Sequence, residues 1–279
     1  MNKTCIITGG TDGIGKQTAI ELALQGFDIG LVGRNGQKGD SVMSEIISKT
    51  GNESVRFFKA DLLNMEHIKK LADEIQHKYD SVDVLLNNAG AYFSKLKMTD
   101  EGFESTFALN HLAYFKITQL LLDIVKEMNP GRVINVASAA HRNAELDFND
   151  IQGINDYKGW SAYGRSKLMN IMFTYECQRR LNTTGVTFNC LHPGFVNSSF
   201  GNNNMGFVRY SIKIAKLFFA INLIQGAKTS VYLASSNEVE GISGKYFNQC
   251  RIANSSKVSY LENDQKQLWE LSEKMLTEN

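Results

Sequence analysis

The sequence has few cysteines and no feature that would direct it to nucleic acid. Its four cysteines are scattered over 279 residues and form no Cys-x-x-Cys pair and no metal-ligand spacing. They are therefore expected to be reduced thiols in a cytoplasmic protein. The formal net charge is +1 and no long run of like charges occurs, which argues against a basic nucleic-acid-binding surface.

We also expect no targeting signal, membrane span or linker in the sequence. Because the apolar run Cys5-Ile6-Ile7 comes at once, we expect no signal or transit peptide, and the run itself is too short to cross a bilayer. No internal repeat, low-complexity segment or convincing linker occurs. With 43% hydrophobic residues, enough for a substantial core, residues 1–279 are expected to form a single domain.

The first part of the chain is predicted to form a strand, a glycine-rich turn and a helix, in that order. A buried strand at 3–8 runs into the turn Thr8–Gly15, and apolar residues at helical spacing follow. Glycines permit a tight turn and close backbone approach, and the helix N-terminus can face a pyrophosphate. The alternative is a glycine-rich turn with no ligand. The residues expected to contact a dinucleotide here are Gly9, Thr11, Asp12, Gly13, Ile14 and Gly15.

The second predicted strand, 27–33, ends without an acidic residue. An acid at that place would bind the ribose hydroxyls of NAD and repel a 2′-phosphate. Gly33 occupies it, and the next residue, Arg34, carries a planar donor fork that suits a phosphate. We therefore expect NADP(H) rather than NAD(H), with Asn35 and Lys38 also in contact. The alternative is that Arg34 is a solvated loop residue.

Small and polar residues follow several of the later predicted strands. Asp61-Leu62 comes after a third strand at 55–60, and this aspartate could cap a helix or lie against an adenine. A fourth strand at 82–86 ends in Asn87-Asn88-Ala89-Gly90, which would place amide donors beside a ligand crevice. Ser138 follows a fifth strand at 132–137, as a helix cap or a substrate contact. Asn110 lies inside the predicted helix 103–128.

The stretch Tyr163-Gly164-Arg165-Ser166-Lys167 holds the most informative pair of side chains. In a helix, residues four apart stand on one face, one turn apart. An ammonium beside a phenol favours the phenolate and lowers the pKa of Tyr163, so that it can exchange a proton with a carbonyl or alcohol oxygen. Taken by itself, the spacing is also that of an ordinary exposed helical pair.

Together these motifs resemble the short-chain dehydrogenase/reductase family, over residues 3 to 250. Within that family, the sequences around Asn110, Ser138 and Tyr163 resemble the retinol dehydrogenase-like branch. The motifs that carry the resemblance are Thr8-Gly9-x-x-x-Gly13-x-Gly15, Asn87-Asn88-Ala89-Gly90, Asn110, Ser138, Tyr163-x-x-x-Lys167 and Pro193-Gly194. The resemblance implies a doubly wound α/β Rossmann domain, for which we expect a seven-stranded parallel sheet flanked by helices.

The resemblance also implies a role for each candidate residue. Tyr163 would be the acid or base, and Lys167 would lower its pKa and bind the nicotinamide ribose. Ser138 would hold the substrate oxygen, and Asn110 would order a water in a proton relay. Residues 1–195 would bind the cofactor and carry catalysis. The further cofactor contacts expected are Asn88, Ala89, Gly90, Asp61, Leu62, Pro193, Gly194, Val196 and Ser198, where serine replaces the family's frequent threonine.

The C-terminal third predicts a sixth strand at 186–191, a helix at 227–235, a last strand at 244–248 and a helical end. His192 could act as a base, although packing is the more ordinary role. The largely apolar stretch 207–224, within a substrate loop at 196–225, is expected to be a lid; it could instead lie on a membrane surface or in a homo-oligomer interface. Membrane-bound members of the branch carry an N-terminal anchor, which we do not expect here.

We expect an NADP-dependent oxidoreductase of lipophilic alcohols, aldehydes or ketones. The alternatives are a reductase of polar or sugar-like carbonyls, and a non-catalytic dinucleotide-binding regulator.

Overall fold

The computed structural model describes residues 2–127, 131–194 and 222–278, which fold into one twisted sheet between two layers of helices. The order of the strands in the sheet is β3-β2-β1-β4-β5-β6-β7-β8. The strands are β1 (Thr4–Thr8), β2 (Asp28–Gly33), β3 (Val55–Lys59), β4 (Val84–Asn87), β5 (Arg132–Val136), β6 (Thr187–His192), β7 (Lys245–Asn248) and β8 (Arg251–Ala253).

The predicted α/β class is confirmed, and the predicted count of seven strands is wrong for the described part of the chain. The first seven strands are parallel, as expected, and β8 adds an antiparallel edge next to β7. Gln249 and Cys250 form the turn between them with positive φ angles of 50° and 61°. Neither residue is the glycine that such a turn favours, so this turn could not be recognised from the residue types.

Helices cover both faces of the sheet. Their bounds are α1 (Gly13–Leu24), α2 (Gly36–Thr50), α3 (Met65–Lys78), α4 (Ser105–Phe107), α5 (Ala113–Lys126), α6 (Gly159–Leu181), α7 (Leu223–Ser235) and α8 (Glu262–Thr277). Short 3₁₀ segments lie at Ala139–Asn143, Asn237–Val239 and Lys257–Tyr260. Within the described residues, no helix is both long and apolar enough to cross a bilayer.

The core lies in two layers, one on each side of the sheet. On one side, Leu71 of α3 and Leu121 of α5 pack with Met169 of α6. On the other, Ala19 of α1 and Leu233 of α7 share a second cluster. Because both faces are covered, the central strands β1, β4 and β5 are buried at every residue rather than at every second one.

The strand order reverses at β1, which pairs with β2 on one edge and with β4 on the other. The chain leaves β1 and β4 in opposite directions, so a crevice opens beyond their carboxyl ends. Gly9 follows β1 and Asn88 follows β4, so both expected ligand-binding segments begin at this crevice.

The helix predicted over 103–128 is interrupted by one turn of π-helix. Glu104 caps α4, because its carboxylate accepts hydrogen bonds from the backbone amides of Thr106 and Phe107 at 2.8 Å. The π-turn Ala108–Leu112 then precedes α5. It contains Asn110, which is fully buried. π-Turns of this kind occur often at functional sites.

Candidate active site

A cavity of about 690 Å³ lies beyond the carboxyl ends of the parallel strands. It brings together most of the residues expected from the sequence. Those that line it are Gly9, Thr11, Asp12, Gly13, Ile14, Arg34, Asn35, Lys38, Asp61, Leu62, Asn88, Ala89, Gly90, Ser138, Tyr163, Lys167, Pro193 and Gly194. Gly15 and Asn110 lie just behind the wall. Val196, Ser198 and most of the expected lid fall outside the described residues.

The glycine-rich turn is packed closely against the end of β4. A Cβ added at Gly9 would lie 2.9 Å from the Cα of Ala89, and one at Gly15 would lie 2.4 Å from the Gly9 carbonyl oxygen. Asp12 caps α1 by accepting a hydrogen bond from the Gly13 amide at 2.7 Å. Only glycine lets the backbone turn this tightly while the amino end of α1 faces the cavity.

Thr8 and Asn88 join the two strand ends. The Thr8 hydroxyl accepts hydrogen bonds from the backbone amides of Asn88 at 2.9 Å and Ala89 at 3.0 Å. The Asn88 side-chain amide donates back to the Thr8 carbonyl at 2.9 Å. Asn88 is therefore fixed by structural bonds of its own, and its backbone and that of Ala89 form one wall of the cavity.

Basic side chains lie at the end of β2. Arg34 and Lys38 are both exposed, and Lys38 Nζ lies 2.5 Å from a carboxylate oxygen of Asp12. Asn35 caps α2 by accepting from the Lys38 amide at 2.9 Å. There is little room for a side chain at Gly33, because a Cβ there would lie 2.9 Å from Thr11 Cγ2. A larger residue at this place would therefore crowd Thr11 in the glycine-rich turn.

Asp61 follows β3 at the edge of the cavity. Its carboxylate accepts a hydrogen bond from the backbone amide of Leu63 at 3.1 Å. The neighbouring Leu62 is buried and also lines the cavity. The helix cap considered for Asp61 is made by Asn64 instead, whose side chain accepts from the His67 amide at 2.9 Å. Asp61 bonds within the turn before α3 and lines the cavity, and its contact with an adenine stays a prediction.

Tyr163 and Lys167 stand one turn apart on α6 and face the cavity, with exposed fractions of 8% and 3%. Lys167 Nζ donates to the Val136 carbonyl at 2.9 Å and lies 5.7 Å from the centroid of the Tyr163 ring. Tyr163 and Lys167 are thus buried in the wall of the cavity, and the alternative of an ordinary exposed helical pair does not apply.

The pKa values of this pair differ from the sequence-based expectation. Burial raises the pKa of Tyr163 to about 12, opposed by a side-chain hydrogen bond to Ser138. Burial also lowers the pKa of Lys167 to about 7. The expected lowering of the Tyr163 pKa by Lys167 is therefore wrong for the protein alone, because desolvation disfavours both charged forms.

Ser138 and Asn110 are held by separate contacts. Ser138 follows β5 and caps the 3₁₀ segment, where its hydroxyl accepts from the Ala140 amide at 3.3 Å. The Asn110 amide nitrogen donates to the Ala91 carbonyl at 3.0 Å and the Ser166 hydroxyl at 2.9 Å. Its oxygen accepts from the Ala91 amide at 2.9 Å. Asn110 thus joins the π-turn to the loop after β4 and to α6.

His192 acts as a packing residue in the structure. Its Nδ1 accepts hydrogen bonds from the backbone amides of Ala139 and Gly194, both at 3.3 Å. Burial is the main cause that lowers the pKa of His192 to about 4, so the ring is neutral at physiological pH. The ring joins two segments of the cavity wall.

An aromatic rim at the mouth of the cavity was not expected from the sequence. Trp160 is 60% exposed, and its ring lies 5.7 Å from that of Tyr163. Tyr92 contacts both rings edge-on, at 6.0 Å from Trp160 and 6.4 Å from Tyr163. Trp160 is three residues before Tyr163, so helical spacing could have revealed it; Tyr92 carries no such signal.

Together, the switch-point crevice, the glycine-rich turn and the buried tyrosine–lysine pair define an oxidoreductase on a Rossmann-type fold. Comparison with known proteins gives the family. A family model described as short chain dehydrogenase matches residues 3–205. The chain belongs to the short chain dehydrogenase family, within its retinol dehydrogenase-like branch.

Curated relatives match almost the whole chain. Retinol dehydrogenase 12 of Mus musculus is 38% identical over 277 residues, covering 98% of this chain and 86% of its own. Polyprenol dehydrogenase of Homo sapiens is 38% identical over 277 residues, covering 97% and 84%.

Solved structures have the same fold. A crystal structure of an uncharacterized protein from Mycobacterium Paratuberculosis matches with a TM-score of 0.79 and 28% identity, covering 99% of this chain and 93% of its own. A short chain dehydrogenase from Shigella flexneri complexed with NADP matches with a TM-score of 0.70 and 23% identity, covering 90% and 98%.

Proposed function

We propose that the protein is an NADP(H)-dependent oxidoreductase that interconverts a lipophilic alcohol with its aldehyde or ketone. The observation that carries this proposal is the shared cavity. Tyr163 and Lys167, buried on one face of α6, line the same cavity as the glycine-rich turn after β1. A group that exchanges protons is thereby placed beside a site shaped for a dinucleotide. Residues 1–279 would act as one functional unit.

The cavity wall fits a nicotinamide dinucleotide. The close approach of Gly9 to Ala89 leaves backbone rather than side chains facing the ligand, and α1 directs its amino end there. Arg34 and Lys38 would hold a 2′-phosphate, and Asp61 and Leu62 would border the adenine. When bound, the cofactor supplies or accepts the hydride. The names of the chain's curated relatives support the proposal, as does the similar structure from Shigella flexneri, which is complexed with NADP.

The proton would come from Tyr163. With a pKa raised to about 12 by burial, its phenol is protonated at neutral pH and can donate to a carbonyl oxygen. Ser138, whose hydroxyl hydrogen-bonds Tyr163, would hold the same oxygen. For oxidation, Tyr163 must first lose its proton. An anion bound in the cavity would favour the ammonium form of Lys167, and that charge would lower the Tyr163 pKa.

A lipophilic substrate is proposed because of the aromatic rim. Trp160 and Phe93 line the cavity, and Tyr92 packs edge-on against the rings of Trp160 and Tyr163. Aromatic side chains of this kind give large apolar contact areas. The names of the relatives, retinol dehydrogenase and polyprenol dehydrogenase, point to lipophilic alcohols for those proteins.

The test is NADPH and NADH oxidation by the purified protein with long-chain aldehydes, ketones and sugar aldehydes. We expect turnover of the long-chain compounds with NADPH. Tyr163→Phe removes only the hydroxyl, so turnover should fall by at least about 10²- to 10⁴-fold while the Kd for NADPH stays close to wild type. Tyr232→Phe, which does not line the cavity, is the matched control.

Each alternative has its own outcome. If the protein turned over sugar aldehydes faster than long-chain compounds, it would be a reductase of polar carbonyls instead. NADPH binding without turnover of any compound would indicate a dinucleotide-binding regulator. Near-normal turnover by Tyr163→Phe would remove Tyr163 from the mechanism.

A further inference from the structure

Two buried side chains of α6 donate to one backbone carbonyl. Lys167 Nζ reaches the Val136 oxygen at 2.9 Å, and the side-chain amide of Asn170 reaches the same oxygen at 3.3 Å. Val136 is the last residue of β5, two residues before Ser138. Lys167 and Asn170 are three apart on the helix, so both side chains can lean onto the same strand end.

The buried side-chain amide of Asn170 is not explained by its contribution to stability. The residue is 0% exposed, and its side-chain oxygen is buried with no hydrogen-bond partner among the described residues. A buried amide oxygen without a partner costs free energy that an apolar side chain of similar shape would not. The amide nitrogen makes the contact that remains, and that contact is to the carbonyl that also holds Lys167.

The Val136 carbonyl is the acceptor that the structure shows for the Lys167 ammonium within the described residues. The titratable groups facing Lys167 are Tyr163, from its own helix, and Tyr114, from α5, whose ring centroid lies 5.6 Å from Nζ. No carboxylate is recorded next to it in the described part of the chain. The direction of this one carbonyl therefore governs where Nζ stands.

We propose that Asn170 is a positioning residue that fixes the Val136 carbonyl and thereby holds Lys167 in its place beside Tyr163. The inference rests on the proposed function, since it gives Lys167 a role in catalysis. Asn170 itself touches neither substrate nor cofactor: it does not line the cavity.

The next link along α6 supplies a matched control. Thr174 is also buried, and its hydroxyl donates to the backbone carbonyl of Asn170 at 2.7 Å. It accepts from the side-chain amide of Asn135 at 3.0 Å. Thr174→Val removes a buried polar contact of the same helix without touching the Val136 carbonyl, so it reports the effect of disturbing α6 in general.

The experiment compares Asn170→Leu with Thr174→Val by the pH dependence of alcohol oxidation and by the Kd for NADPH. In Asn170→Leu the ammonium of Lys167 loses a neighbouring dipole and an oriented acceptor, so its charged form is disfavoured. We expect the oxidation profile to move to higher pH, kcat to fall on the order of tenfold or more, and NADPH to bind more weakly. Thr174→Val should leave the profile in place.

An unchanged pH profile and an unchanged NADPH Kd in Asn170→Leu would overturn the inference. If that variant does not fold, Asn170→Asp carries the test: a carboxylate near Lys167 favours the ammonium, so the profile should move to lower pH, and an unmoved profile again overturns the inference. Failure of the proposed function is distinguishable, because it would appear as near-normal turnover in Tyr163→Phe.

Discussion

His141 Nδ1 lies 2.6 Å from the backbone carbonyl oxygen of Ser138, and the other ring nitrogen accepts from the Ser256 amide at 3.1 Å. Since a carbonyl only accepts, Nδ1 carries the proton and the ring is neutral. Burial lowers the pKa of His141, in agreement with this. The imidazole thus ties the segment that presents Ser138 to the loop before α8.

This bridge should make stability depend on pH. The folded pKa of His141 lies below its unfolded value, so the unfolded state binds the proton more readily, and the stabilisation is lost as pH falls through the folded pKa. His141→Phe keeps a ring but leaves the Ser256 amide without its acceptor, at a cost of about 1–3 kcal/mol. Urea unfolding at pH 5 and pH 7.5 would measure this.

We expect His141→Phe to lower the free energy of unfolding at pH 7.5 and to reduce the loss on going to pH 5. His67→Ala, which changes an exposed histidine of α3, should do neither. Equal acid sensitivity in wild type and His141→Phe would show that other groups cause it.

Lys167→Met should alter the pH dependence of stability in a more alkaline range than His141 does. The folded pKa of about 7 lies below the ordinary 10.5, so between these values the unfolded state binds more protons and wild-type stability rises with pH. Met removes this rise. The unfolding free energy of wild type minus that of the variant should therefore increase from pH 7 to pH 9.5, by at most about 1.4 kcal/mol per pH unit. If the unfolding free energies of wild type and variant changed with pH in parallel, a lowered pKa of the buried Lys167 would be contradicted.

Arg34→Ala tests cofactor choice. A charge-assisted hydrogen bond to a phosphate is worth on the order of 1.5–3 kcal/mol, or roughly tenfold to 150-fold in affinity. The Kd for NADPH should rise by about this factor and that for NADH should change little. Lys38, beside Asp12, could share the phosphate and soften the effect. Arg251→Ala, at an exposed arginine of β8, is the control, and an unaltered NADPH-to-NADH ratio in Arg34→Ala would place selection elsewhere.

Trp160→Ala tests the aromatic rim. The ring lies beside Tyr163 but is largely exposed, so its loss should weaken substrate binding more than proton transfer. We expect KM for a long-chain aldehyde to rise about tenfold, with kcat within about threefold of wild type. Leu24→Ala removes a side chain with a similar exposed fraction, 59%, away from the cavity. A KM unchanged in Trp160→Ala would exclude the rim from substrate binding.

The positions of the strands and most of the cavity lining were predictable because short local patterns determine them. Apolar runs such as 3–8 and 132–137 ended in glycine or polar residues, and the strands found there, Thr4–Thr8 and Arg132–Val136, differ by a residue or less at each end. Parallel strands align their carboxyl ends, so residues that follow different strands meet at one edge of the sheet. The lining of the cavity follows from this rule, whereas the doubly wound fold was implied by the family resemblance.

The features that were missed depend on contacts between distant residues. The π-turn Ala108–Leu112 has the same apolar spacing as an α-helix, and α7 begins at Leu223 rather than 227 because Asn222 caps it. The pKa of Tyr163 follows from burial, which spacing to Lys167 does not reveal. Asn170 reads as a polar residue on a buried helix until the Val136 carbonyl is seen.

The central place of β1 has a consequence for synthesis of the chain. Its second neighbour begins far away: the Thr4 amide bonds to the side chain of Asp83, 79 residues later. At about 5–20 residues per second, the ribosome needs roughly 4–16 s to add that length. During this interval one edge of β1 has no partner strand, and an unpaired strand edge can pair with another chain and cause aggregation. This edge of β1 can therefore pair with another chain until β4 has emerged.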